Sequence, residues 1–373
     1  MMKLLKHLDL YTPAHLGKKD ILIAEGKILK IEDSIDIQGV DAEVIEYKNH
    51  KALPGFIDNH VHIIGGGGEN GPASSIPEIH IDDLTQAGIT TVIGLLGTDG
   101  ITKNMKNLIS KTKALNHQGM SAYALSGSYQ VPVKTLLSSI EDDLTFIEEI
   151  IGVGEIAISD HRSSLPTINE LKKVLASAHV GSLLSGKAGI TNIHVGSGET
   201  GLKPITEILD TTDLPARKIL PTHINRSHAL LEEGIAYSKY YNAPIDFTAY
   251  INKDDDLAAY HAFKQALDSG VKLENITLSS DGQGSLPVFD QDGHFITMGI
   301  ASVKALFENI KKAHLQGHIP LEDALMPITK NVANLFKLKD KGELKVGKDA
   351  DIVIADKDLN IQEVYVKGER QKR

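Results

Sequence analysis

The chain contains, at residues 53–63, the run Leu53-Pro54-Gly55-Phe56-Ile57-Asp58-Asn59-His60-Val61-His62-Ile63. This apolar stretch leads directly into two histidines. Residues two apart on a β-strand point to the same face, so His60 and His62 are placed to hold one metal ion together. It is the first of eight such runs, and the others lie at residues 89–96, 121–125, 150–158, 190–195, 218–224, 244–250 and 276–280.

Amphipathic stretches of helical character separate the eight runs, as at residues 108–115 and 235–240. Strands that are buried on both faces and alternate with helices are typical of parallel α/β folds with right-handed crossovers. Eight such units predict an α/β fold of the (β/α)8 TIM-barrel type over residues 55–339.

The two ends of the chain differ from this middle. Residues 20–24 and 27–31 predict a β-hairpin, and residues 349–354 and 363–368 predict further strands. We therefore expect residues 1–54 and 340–373 to form together one small β-sandwich domain.

Composition narrows the classes of function. The 373 residues include no cysteine and carry a formal net charge of −10, so a metal would have to be held by histidine and carboxylate side chains. The negative charge argues against a nucleic-acid partner or an anionic membrane surface, because both need a positive field. No apolar run reaches the roughly 18 residues of a membrane helix, and the N-terminus lacks a signal-peptide core. We expect a cytoplasmic protein.

Metal-binding side chains follow several of the runs. In a TIM barrel the active site lies at the carboxyl ends of the strands, and the side chains expected there are His60, His62, Glu155, His194, His223 and Asp281. Imidazole and carboxylate groups suit Zn²⁺ or another divalent metal, and this set is large enough for two ions with a carboxylate between them. The sequence thus predicts two divalent metal ions per chain, with zinc as the preferred ion.

The segment 54–62, with the later histidines and the aspartate, resembles the amidohydrolase superfamily. Longer strings are similar to the isoaspartyl (β-aspartyl) dipeptidases within it, and this resemblance spans nearly the whole chain. These strings are Ile64-Gly65-Gly66-Gly67-Gly68-Glu69, Gly94-Leu95-Leu96-Gly97-Thr98-Asp99-Gly100, Ile158-Ser159-Asp160-His161-Arg162-Ser163-Ser164 and Pro221-Thr222-His223-Ile224-Asn225-Arg226-Ser227.

The resemblance assigns roles to individual residues. It implies that the metal ligands are His60, His62, His194, His223 and Asp281. It implies substrate contacts by Glu69, Thr98, Tyr129, Arg162, Arg226 and Ser285. It also implies a homo-oligomer, such as an octamer.

One position departs from the family pattern. The bridging ligand of the family is usually a lysine carboxylated on its side-chain nitrogen, seven residues before the arginine of the 158–164 string, and this chain has Glu155 there. A glutamate can still bridge two cations, but its side chain is shorter. Either the strand end or the metals must then shift, or the second metal binds weakly.

A reaction follows as a hypothesis. A hydroxide that bridges two metals would attack the scissile amide while the metals polarise its carbonyl. Asp281 would act first as general base and then as general acid toward the leaving amine, and the Tyr129 hydroxyl would donate to the developing oxyanion.

Charge matching suggests the substrate class. An isoaspartyl dipeptide carries two carboxylates and one ammonium group, which Arg162 and Arg226 could bind at the anions and Glu69 at the cation. An arginine beside a metal cluster can equally pair with a neighbouring acid. The prediction is a metallo-dipeptidase that acts on a small isoaspartyl dipeptide.

Three alternatives stay open at this point. The first is another amidohydrolase, acting on cyclic amides or N-acyl amino acids. The second is an NAD-dependent oxidoreductase with a doubly wound sheet, since residues 196–201 spell GxGxxG after an apolar run and before a helical stretch; it leaves the histidines unexplained. The third is a barrel without catalysis, which predicts lost ligands, whereas all five histidine and aspartate positions are present.

Overall fold

The computed structural model of the protein describes residues 2–39, 41–251, 255–290 and 294–371. The strands are β1 (Met2–Tyr11), β2 (His15–Ala24), β3 (Lys27–Glu32), β4 (Ala42–Glu46), β5 (Lys51–Pro54), β6 (Phe56–Val61), β7 (Ile89–Gly94), β8 (Ser121–Ser126), β9 (Ile150–Ile158), β10 (Ile190–Val195), β11 (Ile219–Thr222), β12 (Ile245–Thr248), β13 (Ile276–Ser279), β14 (Ser285–Phe289), β15 (Phe295–Ile300), β16 (Ile352–Ala355), β17 (Ile361–Val366) and β18 (Glu369–Arg370). The α-helices are α1 (Ile81–Gln86), α2 (Met105–His117), α3 (Ile140–Phe146), α4 (Ile168–Ser185), α5 (Lys203–Asp210), α6 (His228–Tyr241), α7 (Ala259–Asp268), α8 (Ala305–Leu315), α9 (Leu321–Leu325) and α10 (Lys330–Leu335).

Strands β6 to β13 correspond to the eight predicted runs, and a helix follows each of them, α1 to α8 in order. The hairpin β14–β15 is inserted between β13 and α8. Strands β6 to β11 form one parallel sheet in chain order, and β12 and β13 form a second parallel pair. The segment after β13 closes the barrel against β6. Val61 and Gly282 form a parallel bridge, and the His62 N–H donates to the Gly282 carbonyl at 2.8 Å. The fold is a TIM-type barrel, so the doubly wound sheet is excluded.

The first run is not one strand, as the sequence suggested, but two. Strand β5 ends at Pro54 and pairs with β1 and β16, whereas β6 begins at Phe56 and pairs with β7. Gly55 connects them in a crowded place, since a Cβ there would lie 2.2 Å from Thr90 Oγ1 and 2.9 Å from Asp351 Cβ. The chain passes from one sheet to the other at this glycine.

Strands from both termini share one sheet, as predicted. Its order is β18-β17-β16-β5-β1-β2-β3, and β4 also pairs with β1. The predicted hairpin is β2–β3, with Ala24 opposite Lys27. Side chains from both ends of the chain, such as Leu5, Ile21 and Ile352, are fully buried in one cluster there. The two-layer sandwich arrangement and the exact domain limits stay predictions.

Helix α10 lies against the amino ends of the barrel strands. The Asn331 side chain donates to the carbonyl oxygens of Leu273 and Ile276, just before and at the start of β13. Val332 and Phe336 belong to the same buried cluster as barrel residues such as Ile57. This end of the barrel is therefore closed, and the carboxyl ends of the strands lie at the other. Within the described residues, no helix combines the length and the apolar character that crossing a membrane requires.

Candidate active site

Four histidines surround one buried glutamate at the carboxyl ends of the strands. Glu155 of β9 has no exposed surface. Its Oε1 lies 2.6 Å from His194 Nδ1 and 3.0 Å from His223 Nε2. Its Oε2 lies 3.4 Å from His60 Nε2 and 3.9 Å from His62 Nε2. Each carboxylate oxygen therefore faces one pair of histidines.

Asp281 completes the cluster on the side of the first pair. Its Oδ1 lies 3.1 Å from His62 Nε2 and 3.6 Å from His60 Nε2. Two groups of three ligand atoms, each group within 4.8 Å, result: His60, His62 and Asp281 form one, and His60, Glu155 and His223 form the other. Five of the six predicted ligands belong to these groups, and the sixth contacts Glu155.

The unpaired atoms of the cluster fit divalent cations. Both ring nitrogens of His60 and Oε2 of Glu155 are buried and have no hydrogen-bond partner in the part of the chain that the structure describes. An unpaired buried polar atom costs about 1–3 kcal/mol. Burial raises the pKa of Glu155, but its interactions with His60 and His194 outweigh burial and hold that pKa well below its usual range, so the group is an anion. A buried anion among imidazole nitrogens is a donor set that a divalent metal satisfies.

Two of the predicted ligands have an unusual backbone. His223 directly follows β11 with φ of 63°, and Asp281 follows β13 with φ of 51°. This left-handed region is uncommon for residues other than glycine and costs on the order of 1–3 kcal/mol. Such strain clusters at functional sites, and here it lies at the ends of two barrel strands.

A cavity of 810 Å³ adjoins the cluster. Its lining includes the metal-ligand candidates His62, His194 and Asp281. It also includes every predicted substrate contact, namely Glu69, Thr98, Tyr129, Arg162, Arg226 and Ser285. The structure thus brings together residues that are more than 200 positions apart in the sequence.

The charged groups of the cavity differ in what they already bind. Arg162 is paired, because its Nε and Nη2 donate to Asp160 at 3.0 and 2.8 Å, and its Nη1 lies 3.5 Å from Glu69 Oε1. Glu69 Oε1 also accepts from the Ser285 hydroxyl at 2.6 Å. Over the described ranges, by contrast, Glu69 Oε2 and Arg226 Nε are buried without a hydrogen-bond partner. One anionic and one cationic group keep unused hydrogen-bonding capacity at this cavity.

Tyr129 lies against the second histidine pair. Its hydroxyl is 2.9 Å from His194 Nδ1, and its ring lies 4.5 Å from the His194 ring, centroid to centroid, at an interplanar angle of 42°. Burial, and then the negative charge of Glu155, raise the pKa of Tyr129 well above its usual value. The hydroxyl therefore keeps its proton and can donate.

Sequence reasoning missed Asp160, although it lies in the quoted 158–164 string. Its carboxylate accepts from Arg162 and lies 2.9 Å from His194 Nε2. Burial by itself raises the pKa of Asp160, but the hydrogen bonds from His194 and Arg162 outweigh burial and hold it well below its usual range. An acid two residues before a predicted substrate arginine was the available signal. Tyr250, also in the cavity lining, was missed as well.

Lys103 was missed too, and its role concerns the glycine-rich loop. Its ammonium group donates to the carbonyl oxygens of Gly65, Gly66 and Ile76 at 2.7–2.8 Å. A Cβ on Gly65 would lie 2.0 Å from the Ile76 oxygen, so the loop packs backbone against backbone. These contacts fix the segment that leads to Glu69.

The GxGxxG string at residues 196–201 also has a packing explanation. A Cβ on Gly196 would lie 2.3 Å from the Ser159 oxygen and 2.5 Å from Asp160 Cβ, and one on Gly198 would lie 2.7 Å from the Ser159 oxygen. The glycines allow this loop to lie directly on the segment that carries Asp160. Nothing in this arrangement calls for a nucleotide.

Comparison with known proteins identifies the family of the chain. The model of the amidohydrolase family matches residues 52–370. The crystal structure of β-aspartyl dipeptidase from Fervidobacterium islandicum AW-1, in complex with β-Asp-Leu, superposes with a TM-score of 0.94 and 41% sequence identity, covering 99% of this chain and 96% of that one.

More distant proteins share the fold or part of the sequence. Dihydropyrimidinase from Brevibacillus agri NCHU1002 superposes with a TM-score of 0.66 at 16% identity, covering 99% of this chain and 95% of that one, which shows the fold alone. The dihydroorotase of Elusimicrobium minutum is 26% identical and covers 100% of this chain and 91% of its own length. These findings confirm the predicted resemblance to β-aspartyl dipeptidases, and the chain belongs to the amidohydrolase family of hydrolytic metalloenzymes.

Proposed function

We propose that this protein hydrolyses isoaspartyl dipeptides with two divalent metal ions, zinc being the expected ion. The observation that carries the proposal is the pair of unpartnered buried atoms, Glu69 Oε2 and Arg226 Nε, that belong to the lining of one cavity beside the histidine cluster. They match the ammonium group and a carboxylate of such a dipeptide. The β-Asp-Leu complex of the 41% identical relative supports the same substrate class.

Two ions are supported by the two groups of ligand atoms that share His60. Glu155 would lie between the ions, because its two oxygens face different histidine pairs. When bound, two divalent cations lower the pKa of a water molecule and polarise the scissile carbonyl as Lewis acids.

The side chains of the protein would supply the proton transfers. The Asp281 carboxylate, beside His62, takes the proton of the attacking water as the new C–O bond forms. It then gives that proton to the leaving amine as the C–N bond breaks. The Tyr129 hydroxyl donates to the carbonyl oxygen as negative charge develops there.

Recognition would divide the charges of the dipeptide. Glu69 binds the ammonium group, and Arg226 and the Nη1 side of Arg162, which faces Glu69, bind the two carboxylates. Thr98 and Ser285 complete the wall of the cavity. A cyclic amide such as dihydroorotate, the substrate class suggested by the 26% identical relatives, has no ammonium group. It would leave Glu69 Oε2 unpartnered, so the geometry favours the dipeptide.

A substrate panel tests this proposal. Purified protein loaded with Zn²⁺, and in parallel with Mn²⁺ and Co²⁺, is offered β-Asp-Leu, α-Asp-Leu, N-acetyl-leucine and dihydroorotate. We expect turnover of β-Asp-Leu alone. Equal turnover of the α-linked dipeptide would sink the assignment, and turnover of dihydroorotate alone would replace the dipeptidase with a cyclic amidase.

Glu155→Ala tests the bridge. Without the carboxylate we expect fewer than two tightly bound ions per chain, measured by elemental analysis after dialysis. The control is Glu207→Ala, which removes an exposed carboxylate from α5 and should leave metal content unchanged. Two ions retained by Glu155→Ala would remove the bridge.

The homo-oligomer and the cytoplasmic location stay predictions from the sequence. Light scattering of the purified protein measures the first.

A further inference from the structure

We propose that Asp160 is a positioning residue that couples the metal cluster to Arg162, so that metal binding and substrate recognition depend on one carboxylate. The proposal rests on the proposed function for the substrate role of Arg162. The contacts that carry it belong to the loop that follows β9.

The first contact is with a predicted metal ligand. Asp160 Oδ2 lies 2.9 Å from His194 Nε2, and His194 Nδ1 lies 2.6 Å from Glu155. Both ring nitrogens of His194 thus face a carboxylate oxygen, which accepts but cannot donate. With a cation in the cluster, Nδ1 would give up its proton to act as a ligand, and the Asp160 contact would hold the remaining proton at Nε2. Metal-binding histidines are commonly oriented by a carboxylate in this way.

The second contact is with the guanidinium group. Asp160 Oδ1 accepts from Arg162 Nε at 3.0 Å and Oδ2 accepts from Nη2 at 2.8 Å. The Arg162 backbone N–H also donates to Oδ1, at 2.8 Å. This fork uses one edge of the planar group and leaves Nη1 on the side of Glu69, 3.5 Å away. The Nη1 side of Arg162 is therefore fixed in direction before a substrate arrives.

Both contacts depend on the same few atoms. Asp160 Oδ2 serves His194 and Arg162 together, so a rotation that improved one hydrogen bond would break the other. The loop at Gly196 packs closely on this residue, since a Cβ on Gly196 would lie only 2.5 Å from Asp160 Cβ. The Asp160 side chain is 4% exposed and has little freedom.

Asp160→Asn tests the coupling. The amide keeps the shape but offers one oxygen acceptor, and its NH₂ group then faces a donor of either His194 or Arg162. We expect the affinity for Zn²⁺, measured by competition with a chelator in the absence of substrate, to fall about tenfold or more. The KM for β-Asp-Leu should rise by about tenfold, with a smaller change in kcat at saturating metal.

Two comparison variants separate the roles. Arg162→Met removes only the substrate side, so it should raise KM and leave the Zn²⁺ affinity within twofold of wild type. Asp210→Asn makes the same chemical change on the surface, where the side chain accepts from Tyr241, and should change neither. If Asp160→Asn does not fold, Asp160→Glu, which keeps the charge but misplaces it by one methylene, should show the same paired loss.

The outcomes are distinct. A lower Zn²⁺ affinity together with a higher KM in the Asp160 variant supports the coupling. A change in only one of the two, or in neither, overturns it. The Zn²⁺ measurement needs no turnover, so a wild-type protein inactive on β-Asp-Leu would refute the proposed function while the metal contact of Asp160 was still tested.

Discussion

The two ends of the barrel differ in what their charged side chains bind. At the carboxyl ends of the strands, His60, Glu69 and Arg226 each keep a buried polar atom without a hydrogen-bond partner among the described residues. At the amino ends, the ammonium groups of Lys218 and Lys337 donate to backbone carbonyl oxygens, those of Ala188 and of Gly186 and Lys187 respectively.

The difference shows at which end of the barrel polar groups remain available to bind a ligand. A buried polar atom without a partner destabilises the protein. At the open end several such atoms lie together beside one cavity, where a ligand can satisfy them, whereas among the described residues of the closed end Asn331 Oδ1 is an isolated case. At the closed end, lysine side chains donate hydrogen bonds to backbone carbonyl oxygens at the ends of helices and strands, which stabilises the barrel. Substitutions at the two ends should therefore separate catalysis from stability.

The largest effect is expected for Asp281→Asn at the open end. The amide cannot take the proton from water, so kcat for β-Asp-Leu should fall by about 10³-fold at saturating metal. Circular dichroism should show an unchanged fold. A kcat within tenfold of wild type would assign Asp281 to metal binding alone.

At the closed end, Phe336→Ala should act on stability only. Phe336 is 2% exposed in the cluster that α10 forms with the barrel, and removal of a buried aromatic ring costs about 3–5 kcal/mol. Urea unfolding measures this loss, while KM and metal content should not change. Leu183→Ala, at an exposed position of α4, is the control for the loss of side-chain volume. An altered KM with unchanged stability in Phe336→Ala would contradict the separation of stability and catalysis between the two ends of the barrel.

A matched pair of substitutions, with a smaller expected effect, compares one cationic side chain at each end of the barrel. Arg226→Met should lower kcat/KM about 10- to 150-fold, mainly through KM, because a hydrogen bond to a charged group contributes about 1.5–3 kcal/mol. Lys218→Met should leave kcat/KM unchanged and lower the free energy of unfolding by about 1–3 kcal/mol, since the Ala188 carbonyl loses its donor. Loss of metal from Arg226→Met would show a structural role for that arginine instead.

Much of the fold was predictable because barrel strands are buried on both faces and read as continuous apolar runs. All eight runs contain a barrel strand. A domain limit between residues 54 and 55 was predicted, but the split of the run 53–63 into two strands was not, because only the pairing of β5 with β16 separates them.

The candidate site was predictable where its side chains lie at the carboxyl ends of barrel strands. His60, His194 and His223 directly follow or end apolar runs, so their convergence could be expected. The pairing of Arg162 could not be expected, because it depends on Asp160, whose contact with His194 spans 34 positions. Lys103 carried no local signal, since its partners are backbone carbonyls of a distant loop.

The number of divalent ions per folded chain tests the central claim most directly. The wild-type protein is loaded with Zn²⁺, dialysed exhaustively against metal-free buffer and measured by elemental analysis alongside its concentration. We expect two ions per chain, because the oxygens of Glu155 face two separate histidine pairs. One ion or none in a protein that is folded by circular dichroism would contradict the two-metal site.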